Sequence, residues 1–281
     1  MNYRSIINKG TLILKNNSIM TANIDAEILL SISLNKSREK ILLNLEEKIN
    51  LEQIKKYINL INRRKKKEPI SYIKKKKFFW DSEFKVNKNV LTPRFETELL
   101  VEEVLKILKF SNQINVLDVG VGSGCILISL LKEKRNWIGT GIDISALAIK
   151  TAKTNAKIQQ VDNRIKFIQS DVDKFLRGKY DLVVSNPPYI NKIEYNSLEV
   201  DVKNYEPKVA LNGGVDGYSV IEKVIKKSRV ILKNSGLLAI EIGLGQHYKV
   251  SELLKNNGFF IIKTIKDYQN IKRCIFSKKI K

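Results

Sequence analysis

Apolar positions in the first third of the chain recur at helical spacing. Ile54, Tyr57, Ile58 and Ile61 fall at i, i+3, i+4 and i+7, and Asp25-Ala26-Glu27-Ile28-Leu29-Leu30 opens another amphipathic stretch. Asn50 followed by Gln53 has the form of a helix N-terminal cap. The helical texture runs to about Lys67, and Pro69 is expected to end it. Phe78-Phe79-Trp80 and Phe84-Lys85-Val86, with Asp81-Ser82 near the turn, read as a short hairpin. From about Leu91 short apolar runs alternate with helical stretches. The strand candidates are 114–120, 137–143, 164–171, 180–186, 236–243, 259–265 and 273–277. A helix over 145–157 has Ser145 as its cap. Such alternation predicts an α/β fold, a mostly parallel sheet with helices on both faces. The expected domains are a helical domain at 1–68, a linker with a hairpin at 69–92 and a sheet domain at 93–281.

The strand ends carry the candidate chemistry. Tyr180-Asp181-Leu182-Val183-Val184-Ser185 reads as a buried parallel strand that runs into Asn186-Pro187-Pro188-Tyr189. Two prolines cannot continue a ladder, so the strand stops there with a stiff, exposed tip. An amide, free backbone carbonyls and an aromatic ring on such a tip suit it to grip a flat group bearing an NH2. The tetrapeptide resembles the signature of methyltransferases acting on planar amino or amide nitrogens; the plain alternative is a strand-ending turn. Another strand, Asn115-Val116-Leu117-Asp118-Val119, runs into Gly120-Val121-Gly122-Ser123-Gly124 and an apolar helix from Cys125. Alternate glycines let the backbone turn sharply and let a ligand come close. Asp143 ends the next strand, about where this fold brings a carboxylate to ribose hydroxyls. Gly-x-Gly-x-Gly is not the dinucleotide-binding pattern; it is similar to the loop that holds S-adenosylmethionine. Asp171 closes the third strand of this series, or simply caps the turn after it. Asp118 is expected to orient the glycine loop, and Cys125 to be a small core residue.

Composition adds bounds. The 281 residues suffice for one large domain and a smaller one. No stretch approaches the ~20 apolar residues that cross a bilayer. Met1 to Met20 lack an apolar core with a cleavage site, so no secretory signal is expected. Cys125 and Cys274 form no Cys-x-x-Cys and His247 stands alone, which points to no metal site and to a reducing cytoplasm. The net charge is +22, and residues 1–90 hold 20 Lys/Arg against 9 Asp/Glu. The densest run is 63–77, with nine basic residues opposed only by Glu68. It reads either as a patch for RNA or a ribosome-associated partner, or as the Lys-rich bias found along the whole chain.

Further segments narrow the family. Val90-Leu91-Thr92-Pro93-Arg94-Phe95-Glu96-Thr97-Glu98 precedes the first helix of the sheet domain. Tyr205-Glu206-Pro207, Ala210-Leu211, Gly213-Gly214-Val215-Asp216-Gly217, Glu241-Ile242-Gly243 and Gln246 follow in order. With Asn186–Tyr189 and the helical front, these resemble the bacterial and organellar release-factor glutamine methyltransferases (the HemK/PrmC family), from about Asp25 to Arg273. The resemblance implies a seven-stranded Rossmann-like S-adenosylmethionine-dependent methyltransferase sheet behind a small helical substrate-recognition domain. It implies methylation of the side-chain amide nitrogen of the Gly-Gly-Gln glutamine in class-1 peptide-chain release factors. Carried over by residue, Gly120, Val121, Gly122, Ser123, Gly124, Asp143, Asp171, Val172 and Asn186 would bind S-adenosylmethionine. Asn186, Pro187, Pro188 and Tyr189 would bind the glutamine, with Asn186, Pro187 and Tyr189 catalytic. Phe95 stands where a second proline is common, Val121 replaces a usual threonine, and Lys75 and Asp81 occupy frequent glycine positions. A monomer is the default expectation. Rival readings are a ribosomal-protein glutamine methyltransferase, a nucleic-acid amino-methyltransferase, favoured by the basic front, and a non-catalytic RNA-binding protein on the same fold.

Overall fold

In the computed structural model, which describes residues 1–280, the chain forms two compact units. One comprises Met1–Lys75 with Glu199–Tyr205, the other Lys76–Leu198 with Glu206 onward.

The first unit is built from α1 (Tyr3–Lys15), α2 (Ala22–Leu34), α3 (Arg38–Leu43), α4 (Leu51–Lys65) and α5 (Ile70–Lys74). Asn2 with Ser5 and Asn50 with Gln53 form reciprocal capping boxes, which satisfy the first free amides of α1 and α4. Ile6, Leu14, Leu29, Leu30, Tyr57 and Ile61 meet in one apolar core. Pro69 does not end the helical region as expected. It caps one further short helix, α5, because proline is well tolerated at a helix start. Lys75 then closes α5 in the left-handed conformation at φ 61°, a geometry that favours the glycine frequent there in the resembling family. Arg64 pairs with Asp25 at 2.7 Å, both nearly buried, and Tyr205 Oη donates to the Lys66 carbonyl.

The second unit opens with an antiparallel hairpin, β1 (Lys76–Phe79) and β2 (Ser82–Lys85). Its turn falls on Trp80-Asp81, one residue earlier than expected, with Trp80 at φ 57°. There follow α6 (Glu98–Ile107), β3 (Asn115–Val119), α7 (Cys125–Glu133), β4 (Ile138–Asp143), α8 (Ala146–Ile158), β5 (Ile165–Gln169) and β6 (Tyr180–Ser185). Short helices α9 (Lys192–Ser197), α10 (Val200–Tyr205, part of the first unit) and α11 (Lys208–Leu211) lead to α12 (Ser219–Ile231). The chain ends with β7 (Leu232–Glu241), α13 (His247–Asn256), β8 (Phe259–Lys266) and β9 (Lys272–Lys279).

These strands form one seven-stranded sheet in the order β5-β4-β3-β6-β7-β9-β8, parallel from β5 to β7 and antiparallel at β9. Alternation along the central strands divides two cores. Val116, Leu182, Val184 and Ala239 face α6, α7 and α8, whereas Leu117, Val183, Leu238 and Ile240 face α12 and α13. β7 starts at Leu232 rather than near Gly236, since buried Leu232 still pairs with Tyr180 across an irregularity while exposed Lys233, Asn234 and Ser235 read as a turn. Chain order reverses direction between β3 and β6, the topological switch point where open α/β sheets bind ligands beyond their carboxyl ends.

Close helix packing in the first unit is testable at Gly10, where a Cβ would lie 1.9 Å from the Tyr57 hydroxyl oxygen, itself buried without a partner. Gly10→Ala is expected to destabilise by about 1–3 kcal/mol in denaturant unfolding. Adding Tyr57→Phe should recover part of that loss; strictly additive effects would refute the contact.

Candidate active site

A cavity of about 330 Å³ opens at the carboxyl ends of β3, β4 and β6. One wall is the glycine loop, 119–123 with Cys125; a second is Ile142 to Ser145; a third is Ser170 to Val172; a fourth is Ser185 to Pro188. Residues 89–91, Pro93, Arg94 and Thr97 close one side, and Pro207, Val209, Ala210 and Lys223 another.

The loop conformation follows from its glycines. Gly120, Gly122 and Gly124 have φ of 77°, 53° and 84°. A Cβ on Gly120 would meet nothing within 4 Å, and one on Gly122 only the Gly120 carbonyl at 3.9 Å, so both present bare backbone to the cavity. Gly124 lies behind the wall, where a Cβ would strike Ile128 Cδ1 at 2.7 Å. Asp143 holds the loop: its carboxylate accepts from the Gly122 amide at 3.0 Å and the Ser145 amide at 2.9 Å. Burial raises the Asp143 pKa, while these two amides pull it back. Asp171 lines the cavity and also caps the following turn through the Asp173 amide. Val172 is buried on the same wall.

One reading needs correction. Asp118 does not orient the loop through hydrogen bonds. Its carboxylate approaches the Leu127 amide without reaching hydrogen-bond geometry, and both oxygens are buried without a partner. Burial lifts its pKa to about 7. Cys125 packs against the core as expected but is only half-buried and also lines the cavity wall, with its thiol pushed up to about 12 by burial.

The β6 tip is held from several sides. Ser185 Oγ donates to the Val119 carbonyl at 2.7 Å, which fixes the start of the tip to the start of the glycine loop. Asn186 Nδ2 donates to Thr97 Oγ1 at 3.1 Å, and Thr97 Oγ1 donates to Glu241 Oε2 at 2.7 Å. Glu241 is buried, which raises its pKa to about 7 despite Thr97 and Arg273. Beyond the prolines, Gln246 Nε2 donates to the carbonyls of Tyr189 (3.0 Å) and Gly217 (3.2 Å), and Gln246 Oε1 accepts from the Gly243 amide. A Cβ on Gly217 would lie 2.5 Å from the Tyr189 carbonyl, so the Gly213–Gly217 loop can lie against the tip only as glycine. The Tyr189 ring lies against Gly243 and is not among the cavity-lining residues, whereas Asn186, Pro187 and Pro188 are.

Thr97, Arg94, Ile144 and Lys223 reach the cavity without a role having been read for them. Arg94 pairs with buried Glu206 at 2.6 Å, which explains why the Pro93-Arg94 and Tyr205-Glu206-Pro207 segments occur together. Ile144 carried a signal, an apolar residue directly after a strand-ending Asp. His247 lies outside the cavity and contacts Thr264. In the basic run, Arg63 bonds Glu68, Arg64 bonds Asp25, Lys67 the Ser18 carbonyl and Lys76 Glu83, so at least four of its charges serve internal contacts. Among the described residues no cluster of His, Cys, Asp or Glu could hold a metal ion, and no helix is long and apolar enough to cross a membrane.

Sheet order, glycine loop and carboxyl-edge cavity define a class I methyltransferase fold. A ribosomal protein L11 methylase from Lactobacillus delbrueckii subsp. bulgaricus shares the fold, with a TM-score of 0.51 at 19% identity over 66% of this chain and 80% of that one. Residues 95–201 match the Methyltransferase small domain, and residues 5–74 the PrmC N-terminal domain. The chain is 41% identical to a release factor glutamine methyltransferase of Clostridium acetobutylicum, covering 90% of each. It is 38% identical to one of Clostridium botulinum, covering 98% of this chain and 99% of that one. The chain therefore belongs to the release factor glutamine methyltransferase family, and its cofactor is S-adenosylmethionine.

The cavity fits that group. Bare backbone at Gly120 and Gly122 leaves space against the loop, and the carboxylates of Asp143 and Asp171 on the walls, with unpartnered Asp118 in the strand behind, suit a cationic ligand.

Asp118 also yields a pH test. Its folded pKa of about 7 lies above the ~3.9 of an exposed Asp. The folded state thus holds this proton more tightly. The stability it contributes is full below pH ~4 and is lost as pH rises through about 7. Asp118→Asn should reduce the fall in unfolding free energy between pH 4 and 8 by roughly 2–4 kcal/mol. A pH–stability curve parallel to that of wild type would contradict the assignment.

Proposed function

We propose that this protein transfers a methyl group from S-adenosylmethionine to the side-chain amide nitrogen of the glutamine in the Gly-Gly-Gln motif of class-1 release factors. One observation carries the reading: a single cavity joins the open glycine loop to the Asn186-Pro187-Pro188 tip, with Val119 and Ser185 paired across adjacent strands. Its relatives named for this activity support it.

When bound, S-adenosylmethionine supplies an electrophilic methyl on a cationic sulfur. Gly120, Val121, Gly122 and Ser123 would form its cradle, with Gly124 turning the chain behind it. Asp143 would bind the ribose hydroxyls, with Asp171 and Val172 on the far wall and Val172 beside the adenine.

An amide nitrogen is a poor nucleophile because its lone pair is delocalised into the carbonyl. Since the leaving group is good, the protein's task is orientation rather than strong base catalysis, and positioning of this kind can supply roughly 7–11 kcal/mol in ideal cases. Asn186 Oδ1 and the Pro187 carbonyl accept the two amide hydrogens. They aim the nitrogen, favour its pyramidal form and stabilise the positive charge that develops on it until one of its two hydrogens is released as a proton to solvent. The two prolines hold these acceptors stiffly. Pro188, which lines the cavity, gives the flat amide an apolar surface, and Tyr189, behind it against Gly243, would act by holding the tip in place. The chain would act as a monomer in the cytoplasm, where its substrate works.

The test is transfer of labelled methyl to a purified release factor and to its Gly-Gly-Ala variant. Label is expected on the first only. Label on neither, with S-adenosylmethionine still bound, would redirect the reading to ribosomal protein or RNA. Asn186→Ala should lower kcat by roughly 10²–10³-fold or more with the fold retained; unchanged turnover would remove Asn186 from the mechanism.

A further inference from the structure

We propose that Glu241 and Thr97 act as positioning residues that set which end of the Asn186 amide faces the acceptor: ionised Glu241 holds Asn186 Oδ1 outward, and protonated Glu241 releases it. The proposal rests on the reading that Asn186 Oδ1 accepts a hydrogen from the substrate glutamine.

An Asn side chain can turn end for end about its last torsion, exchanging a carbonyl for an NH2 at similar shape. In the flipped form it would set a donor against the donor NH2 of a glutamine, and the site would repel what it must bind. Something must therefore break the symmetry between the two ends, and the structure contains it. Glu241 and Thr97 are each 2% exposed, so water does not supply alternative partners. An ionised carboxylate is acceptor-only, and the Thr97 hydroxyl has one proton, which goes to Glu241 Oε2 at 2.7 Å. What Thr97 Oγ1 then offers Asn186 is a lone pair, and only the NH2 end can use it, at 3.1 Å. The Asn186 NH2 also interacts with the Glu241 carboxylate. Inward NH2 leaves Oδ1 directed away from the relay.

Protonation reverses the logic. A neutral Glu241 can donate its own proton to Thr97 Oγ1, freeing the Thr97 proton for Asn186 Oδ1, and the amide turns its NH2 outward. The groups that face Glu241 set where this happens. Arg273 on β9 favours the charged form, though it is also engaged by Asp267. Glu96, in the turn before α6, opposes it; Cys125, Tyr189 and Cys274 are the remaining titratable neighbours. Burial is the largest influence and brings the Glu241 pKa to about 7. The orientation therefore responds to pH around neutrality.

The experiment measures kcat and KM for wild type, Thr97→Val, Thr97→Ser and Glu241→Gln with S-adenosylmethionine and a purified release factor, from pH 5.5 to 9. Wild-type kcat should fall on the acid side with an apparent midpoint near pH 7. Thr97→Val, nearly isosteric, should lose about tenfold or more in kcat with S-adenosylmethionine affinity unchanged, and Thr97→Ser should restore most of it. Glu241→Gln can face Thr97 with either end, so its kcat should be lower and its acid limb flat. Wild-type kcat in Thr97→Val, or an acid limb that persists in Glu241→Gln, would overturn the inference. Wild-type protein that labels no glutamine would overturn the acceptor reading itself, an outcome visible before any variant is compared.

Discussion

The site depends on the hydrogen bond between Ser185 Oγ and the Val119 carbonyl, made at 2.7 Å where β3 and β6 lie side by side. The residue after Val119 is Gly120 and the residue after Ser185 is Asn186. The glycine loop and the Asn186–Tyr189 tip, proposed to hold cofactor and acceptor, are therefore consecutive outgrowths of one fixed point in the sheet. The parallel ladder sets their separation, and neither loop has to find the other. Everything downstream extends that anchorage. Asp143 shapes the glycine loop from the neighbouring strand, Gln246 clamps the backbone of Tyr189, and the Thr97–Glu241 pair holds Asn186 from the far side. The two prolines matter in the same sense: they end the ladder abruptly and leave carbonyls with no strand to satisfy them.

The buried charges of the two units contrast. In the helical unit Asp25 meets Arg64 directly, with Thr21 and the Glu68 carbonyl as further partners of the pair. Among the described residues Asp118 has no partner, Asp143 accepts only backbone amides and Glu241 bonds Thr97, so no basic side chain bonds any of the three. Burying carboxylates in this way costs folding stability above their raised pKa values. Of the three, Asp143 lines the cavity, where the positive charge of a ligand would meet it. A sulfonium with an amino-acid tail is such a ligand, which is why the site's poor internal pairing supports, rather than weakens, its assignment. Basic residues elsewhere do more local work than their number suggests, since at least four of those between Arg63 and Lys77 bond groups inside the protein.

Much of the fold was legible because it is written in local pattern. The i, i+3, i+4 spacing around Tyr57, the capping pair Asn50–Gln53 and the near-continuous apolar run before Asn186 are each read within a few residues, and each has its element in the structure. The glycine loop was equally plain, because positive φ at Gly120 and Gly122 demands glycine. What escaped was set by contacts distant in sequence. Thr97 reaches Asn186 across 89 positions and Glu241 across 144, and nothing in the spacing of either segment announces the meeting. The isolation of Asp118 is a property of its surroundings, not of its own strand. Pro69 was misread for a different reason. A proline between two helical stretches fits the end of one helix and the start of the next equally well, and only packing chooses.

The most direct test of the account is a crystal structure of the protein with S-adenosylhomocysteine and a glutamine peptide bearing the Gly-Gly-Gln sequence. The account predicts the glutamine amide nitrogen within hydrogen-bond distance of both Asn186 Oδ1 and the Pro187 carbonyl, its free side facing the sulfur, with Asn186 Nδ2 still on Thr97. A glutamine bound elsewhere, or one that faces the NH2 end of Asn186 instead of its Oδ1, would contradict it.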